Sequence, residues 1–522
     1  MRAEACATPL MWPQTLGVRL AGLFPPRIED VPVAGTAPEN PALLAIYLNT
    51  PLSSSVRAEL LAEIRRRHGA ALLDQAIHGL ARRFPELSAQ RVLSRPQAVV
   101  GVMLVMLFLM ALVLFPSSTW LALVWMLSLA FGLNGAFRAL LALVAPRASA
   151  GALLCDAGLP TYTLLVPLYR EAAVLPDLVD SLLKLDYPRG QLDIKLVVEE
   201  DDIETVAAAH RQAARDAALE VIEVPVGGPR TKPKAANYAL AFARGEYLVV
   251  YDAEDRPEPD QLKKSISTFR ARGGATACLQ ARLHIQNCDH NWLVGMAALD
   301  YSLWFGKLLP GLDRIGAPMP LGGTSNHFRT AVLREIGGWD AFNVTEDADI
   351  GIRLAQMGYR VSMLDSTTYE EGPIAVGAWL KQRSRWLKGH MQTWLVHMRD
   401  PLTLMRRTGL TGFLAFQIFV GGGVVFALAN PLLWIAFLAG LVLHGSGPGV
   451  VVPGSGLLIS HILLTYLAVL APRRRGWDEL VSYGLTVIAY WGLVSAAGYR
   501  GAWQLITRPF FWEKTTHGVM PG

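Results

Sequence analysis

Cysteine is scarce in this chain, and so is charge. Only four of the 522 residues are Cys, and Cys6, Cys155, Cys278 and Cys288 form neither a CxxC pair nor a Cys/His cluster. That argues against a disulfide framework and a zinc site and leaves reduced thiols as the plain reading. Charged residues make up 17% of the chain, 48 basic against 43 acidic. The net charge of +5 sits beside apolar segments, not in a stripe that could follow a phosphate backbone, so no nucleic-acid partner is expected. No basic-then-apolar leader opens the chain, because the first long apolar run begins near Ala98. What is abundant is apolar: 52% of residues are hydrophobic, the mark of a membrane protein carrying a globular domain.

Residues 1–40 are rich in Pro and Ala without periodicity and are expected to be a disordered tail. Over 41–97 the spacing of Leu60, Leu61, Ile64, Leu72, Leu73, Ile77 and Leu80 predicts a small helical module with Arg65, Arg66, Arg67, Arg82 and Arg83 interspersed. Two apolar runs follow, Ala98–Phe115 and Trp120–Val144, each near the ~20 residues that cross a bilayer. They read as a transmembrane hairpin over 98–145, turning at Pro116-Ser-Ser-Thr119. Arg91 and Arg95 precede the pair, Arg138 and Arg147 follow it, and the turn has no charge. The positive-inside rule then puts both flanks, and the large middle segment, in the cytosol.

Residues 150–400 alternate short β-rich runs with helical stretches, predicting an α/β domain with a mostly parallel, Rossmann-like sheet. Beyond Arg407 the apolar stretches 410–429, 431–444, 456–471 and 480–499 predict four further crossings, with a cytosolic tail over 500–522. Four would place Arg473, Arg474 and Arg475 outside, against the positive-inside rule. Merging 410–444 into one tilted span reverses that placement.

Ligands of such sheets bind at the carboxyl ends of strands. After the strand Tyr247–Tyr251 comes Asp252-Ala-Glu-Asp255, whose hard oxygens suit Mg²⁺ or Mn²⁺ bridging a diphosphate; an acidic turn before Arg256-Pro257 can equally be solvated or cap a helix. Glu199-Glu-Asp-Asp202 follows the strand Ile194–Val198, one βα unit earlier, where a carboxylate could accept from a nucleobase. Lys232-Pro-Lys-Ala-Ala-Asn237 lies between them and offers ammonium groups to phosphate. Thr345-Glu-Asp347 opens a helical run, as ordinary N-capping also does, and can present Asp347 as a general base. Gln382-Arg-Ser-Arg-Trp386 lies in the amphipathic, Trp-rich stretch 378–398. That stretch suits a membrane interface, and also lets Arg385 meet a diphosphate and Trp386 a sugar face.

Taken in order, Glu200/Asp201, Asp252-Ala-Glu-Asp255, Thr345-Glu-Asp347 and Gln382-Arg-Ser-Arg-Trp386 resemble the D, DxD, TED and QxxRW series of the family 2 membrane glycosyltransferases, such as bacterial cellulose and hyaluronan synthases. Val166-Pro-Leu-Tyr-Arg-Glu171, Lys234-Ala-Ala-Asn237 and the flanking helices extend the likeness over about 98–520. The resemblance implies a GT-A fold set between transmembrane helices, a nucleotide-sugar donor (uridine being the usual base), Mg²⁺ or Mn²⁺, and an inverting transfer.

Carried over residue by residue, it implies Asp347 and Glu346 as catalytic, and Glu200, Asp201, Lys234, Asp252 and Arg385 as donor-binding. Gln382, Trp386 and Thr324 fall on the acceptor side, and Asp252 with Glu254 or Asp255 at the metal. Here the departures matter: Glu-Glu-Asp-Asp replaces the usual paired aspartates and leaves Glu200 and Asp201 as alternatives. Phe511-Trp-Glu-Lys514 and the residues after it are loosely similar to a cytosolic gating segment. The 41–97 module faintly resembles the N-terminal domain of type II secretion ATPases, which adds cyclic di-GMP or a secretion component as a partner expectation.

The expected protein is a multi-pass bacterial inner-membrane enzyme with a cytosolic catalytic domain, extending a polysaccharide. The alternatives are a single transfer to a lipid acceptor and, more remotely, a non-catalytic nucleotide sensor.

Overall fold

The computed structural model describes residues 42–146, 156, 158–473 and 478–513. The tail at 1–40, Arg147, Arg474, Arg475 and the part of the terminal segment from 514 onward lie outside the described residues.

Eight strands form one mixed, mostly parallel sheet: β1 (Tyr162–Leu168), β2 (Leu192–Glu199), β3 (Leu219–Val224), β4 (Tyr247–Val250), β5 (Arg256–Pro257), β6 (Thr276–Ile285), β7 (Asn326–Arg329) and β8 (Arg360–Glu370), in the order β3-β2-β1-β4-β7-β6-β8-β5. Strand β1 lies between β2 and β4, parallel to both, with Tyr162 opposite Leu192 and Tyr247. The carboxyl ends of β1, β2 and β4 therefore open onto one edge. β7 runs antiparallel to β4 and β6, and β8 returns parallel to β6. Side-chain alternation splits the core: Leu164 and Val166 join Leu178, Ile194 and Leu196 on one face, whereas Leu165 joins Val197, Leu248 and Val250 on the other. This is the α/β architecture expected of a GT-A domain.

Four helices among the described residues are long and apolar enough to cross a membrane: Arg95–Leu114, Pro116–Val144, Pro401–His444 and Pro448–Arg473. A Ser94/Gln97 capping box with proline in the first turn starts the first of them. The hairpin turns at Phe115 alone, and Pro116-Ser-Ser-Thr119, expected as the turn, is instead the first turn of the second helix because proline suits that position.

The expected break at Asn430-Pro431 is absent. Pro431 lies inside a continuous helix, where the Tyr499 hydroxyl donates to the Leu428 carbonyl at 2.6 Å beside the interruption. Of the 445–455 segment only 445–447 form a turn, and the next helix begins at Pro448. Two long apolar helices thus replace three of the expected crossings. The final helix, Val487–Thr507, touches the α/β unit at both ends: Trp292 donates to Thr486 at 2.7 Å, and Gln392 to the Pro509 carbonyl at 3.1 Å.

The 41–97 module is helical, Ala42–Asn49 and Ser54–Arg83, but it does not stand apart. Tyr47 meets the buried Lys195 and Glu220, Asn237 donates to the Ala76 carbonyl at 2.9 Å, and Arg65 pairs with Glu223 and, at 3.3 Å, Glu200. At its end Asp340 accepts from the Ala89 amide, the Ser88 hydroxyl (3.2 Å) and the Phe342 amide (3.1 Å), while Arg399 grips the carbonyls of Pro85, Glu86 and Ser88.

Removing the Asp340 carboxylate orphans buried donors, each worth about 1–3 kcal/mol. Asp340→Ala is expected to lower the thermal unfolding midpoint and to expose the 84–94 segment to protease. Unaltered melting together with an unaltered cleavage pattern would show that this junction does not hold the module in place.

Candidate active site

Where the carboxyl ends of β1, β2 and β4 meet the interface helix Val376–His397, the protein encloses a cavity of about 690 Å³. It runs from the sheet edge to the apolar helices: Asp252, Glu254 and Asp347 line one end, and Arg138, Phe426 and Trp491 the other. The helix Val376–His397 is not a free surface helix. Trp379 is fully buried against Tyr490, their ring centroids 5.2 Å apart, and Gly389 lets the helix close on the loop before Glu346, because a Cβ there would lie 2.0 Å from the Thr345 hydroxyl oxygen.

The turn after β4 divides its acids. The Asp252 amide donates to Asp255 Oδ2 at 2.7 Å, and the Thr324 hydroxyl donates to the same oxygen, so Asp255 is consumed in holding the turn, behind the cavity wall. Asp252 and Glu254 face the cavity. Of the two candidates for the second metal-side carboxylate, Glu254 is the one so placed. Thr324 reaches the wall, yet its hydroxyl points inward, 3.2 Å from the Val250 carbonyl as well as against Asp255.

Glu200 and Lys234, both expected to bind donor, are turned elsewhere. Glu200 accepts from the Val226 amide at 3.0 Å and pairs with Arg65, and Lys234 is buried at 2.7 Å from Glu199. Their neighbours take the cavity positions: Glu199 lines it, and Lys232 does so while pairing with Asp252 at 2.5 Å. Consecutive residues leaving a strand point oppositely, and residues two apart at a helix start diverge by about 200°. Asp201 is held by Arg230 at 2.6 Å, and Arg230 borders the cavity.

Glu346 and Asp347 open the helix Glu346–Gln356 into the same space, and Asn326 donates to Asp347 Oδ1 at 3.4 Å. Gln382, Arg385 and Trp386 line the cavity opposite. The Arg385 guanidinium lies over the Trp512 ring at 4.8 Å, and no carboxylate among the described residues is within ion-pairing distance of it. Glu370, which had no place in the sequence expectations, also reaches the cavity, as do Glu171 and Trp512, which entered only through the wider likeness. Glu370 ends β8, the one signal that could have flagged it.

Carboxylates outnumber cations at this end, and their proton affinities record it. Burial, then Asp252 and Glu171, pushes Glu254 up to about 8, and burial and Glu254 push Glu370 up to about 8. Burial and the adjacent Glu346 raise Asp347 well above the usual carboxylate range. Burial alone would lower Lys232, but Asp252, Asp347 and Glu346 hold its ammonium above its ordinary value.

Such a site calls for a further cation. Among the described residues no three Asp, Glu, His or Cys side chains converge as metal ligands. Asp252 and Glu254 fit an ion that takes one or two carboxylates and completes its shell with phosphate oxygens and water, the habit of Mg²⁺.

Residues 160–389 match the model of the glycosyltransferase like family 2. The beta-monoglucosyldiacylglycerol synthase of Trichormus variabilis is 30% identical over 255 residues, 48% of this chain and 53% of that protein. Glucomannan 4-beta-mannosyltransferase 2 of Arabidopsis thaliana is 26% identical over 243 residues, 45% of either chain. A solved mannosyltransferase from Pyrobaculum calidifontis, in complex with GDP-Man and Mn²⁺, covers 73% of this chain and 99% of its own at 20% identity and a TM-score of 0.48. This chain spans about half the length of the curated relatives it matches.

Because Glu254 and Glu370 are raised from 4.5 to about 8, each contributes stability that is full below its unfolded value and is lost as pH climbs to about 8. Without divalent metal, the unfolding midpoint is therefore expected to fall across that interval. Mn²⁺ with a nucleoside diphosphate should restore most at the alkaline end. A midpoint that rose with pH in the metal-free protein would contradict the assigned shifts.

Proposed function

We propose that this chain, whose residues 160–389 are a family 2 glycosyltransferase domain, transfers a sugar with inversion from a nucleotide sugar, a UDP-sugar in the first instance, to an acceptor hydroxyl arriving from the membrane side. The observation that carries this reading is one continuous cavity joining Asp252, Glu254 and Asp347 to walls made by the apolar helices.

In this reading Glu199 and Arg230 border the base, and Lys232 and Arg385 meet the diphosphate. Asp252 and Glu254 would hold Mg²⁺ or Mn²⁺, which supplies positive charge to the leaving diphosphate. Asp347, oriented by Asn326, takes the acceptor proton as the acceptor oxygen bonds to the anomeric carbon and the bond to the diphosphate breaks, its electron pair leaving with the diphosphate. The raised affinity of Asp347 for a proton makes it a stronger base once neighbouring positive charge keeps it ionised. Arg385 has no carboxylate at ion-pairing distance among the described residues, so its guanidinium is available to an anion in the cavity. Trp386 presents an indole face to the acceptor sugar, with Gln382 beside it.

The enzyme would sit in the inner membrane with the catalytic unit on the cytosolic face. The acceptor we favour is a growing polysaccharide, because aromatic side chains (Trp304, Trp386, Tyr490, Trp491) line the path from the sheet edge toward the membrane. The relative named for a glucosyldiacylglycerol product favours a second reading, single transfer to a lipid.

Purified full-length protein in lipid, given Mg²⁺ or Mn²⁺ and a panel of nucleotide sugars, is expected to release nucleoside diphosphate. Asp347→Asn should slow release by about 10²–10⁴-fold. Long products would support the polysaccharide reading and short glycolipids the second. Release that ignored Asp347→Asn would refute the assigned base.

A further inference from the structure

The two ends of the cavity carry opposite charge. At the membrane end the charged side chains on the wall are Arg138, Asp300 and Arg383. Asp300 is taken by Arg383 at 2.8 Å, and Arg383 also donates to Tyr490 at 2.8 Å. Arg138 has no hydrogen bond or ion pair among the described residues. Its Nε is buried without a partner, and its guanidinium lies 5.5 Å from the centre of the Phe419 ring. His390, on the same wall, is kept uncharged, pushed down to about 4 by burial and then by Arg383 and Arg138. Two guanidiniums and one carboxylate leave one positive charge uncompensated.

The depth of Arg138 says what could compensate it. The helix Pro116–Val144 has 29 residues and is about 43 Å long at ~1.5 Å per residue, against a hydrocarbon core of about 30 Å. Arg138 lies in its last two turns, at the level of lipid headgroups, yet faces the cavity instead of lipid. An ionisable side chain turned inward at that depth marks a ligand path. The flank charge of the sequence pattern is thus part of a wall.

We propose that Arg138 is the phosphate-binding residue of the acceptor site, and that the growing saccharide is carried on a membrane lipid through a phosphate that enters beside Phe419 and Gly423. This rests on the reading of the cavity as a glycosyl-transfer site and adds the chemical class of what enters its membrane end. The acidic end accepts a cation with the donor; the basic end accepts an anion with the acceptor.

The test uses the full chain in uncharged detergent, following Trp304, Trp386 and Trp491 by indole fluorescence. Dodecyl phosphate is titrated, with dodecanol and inorganic phosphate as separate arms and UDP with Mn²⁺ as the donor-pocket control. Dodecyl phosphate is expected to bind, with Arg138→Gln weakening it about ten- to hundredfold and Arg138→Lys keeping most of the affinity, while UDP binds all three proteins alike. Equal affinity of Arg138→Gln for dodecyl phosphate, or equal binding of dodecanol, would overturn the assignment. Inorganic phosphate binding as tightly as dodecyl phosphate would overturn its lipid part. UDP that failed to bind the unaltered protein would strike the transfer reading itself.

Discussion

Carboxylates that would repel one another in isolation are gathered around one enclosed space, and much of the surrounding structure exists to hold them there. Lys232 lies against Asp252, Lys234 neutralises Glu199, and Arg230 takes Asp201. Asp255 is turned away and tied to the Asp252 amide and Thr324. Glu254, Glu370, Glu346 and Asp347 carry raised proton affinities, first because they are buried and then, for Glu254, Glu370 and Asp347, because they lie beside other carboxylates. The protein keeps an electrostatic deficit that a metal and its bound diphosphate are suited to fill, and it keeps it on the same cavity as Arg385, which has no ion pair among the described residues. A site relaxed by one more lysine would be more stable and would have less use for the ion.

The deficit can be sustained only if the loops bearing it do not yield, which gives the N-terminal helices their role. Ser54–Arg83 reaches three loops near the donor edge: Arg65 at Glu200, Leu73 beside Gly227, and Leu80 beside Gly337. The cluster of Asp193, Lys195, Arg244, Glu220 and Tyr47 anchors the preceding helix on the outer strands. Individually the exposed pairs are weak, about 0–1 kcal/mol. Together with the buried cluster and the Asp340 junction they make the segment part of the wall around the donor edge.

The strand-end acids and the helix-borne Arg385 and Trp386 were legible because each is tied to a recognisable element boundary, and the carboxyl ends of parallel strands share an edge. Side-chain direction was not. Glu199 and Glu200, or Lys232 and Lys234, are indistinguishable by composition, and only the exact strand end or helix phase decides which enters the cavity. The docking of 42–91 rests on contacts between residues far apart in sequence, such as Ala89 with Asp340, which no local pattern encodes. Pro431 reads as a break unless Tyr499 is known to lie beside it. Arg138 reads as a flanking charge until the cavity is seen to include it.

The last helix also bears on a conflict left by hydropathy. Val487–Thr507 begins at Thr486 against Trp292 and ends where Lys388 holds the Phe511 carbonyl at 2.7 Å, so both ends lie with the α/β unit and it need not cross. Read as crossings, the hairpin and the pair Pro401–His444 and Pro448–Arg473 are even in number and would put Arg473 on the side of Arg91 and Arg95, in keeping with the positive-inside rule. Instead of crossing, this helix lies along Val376–His397, with Gly501 packed so closely that a Cβ would come within 2.8 Å of the Ser384 carbonyl oxygen. The segment that follows it brings Trp512 onto Arg385. The chain thus spends its final apolar stretch completing the wall of the candidate site, which is why hydropathy alone counted it as one more span.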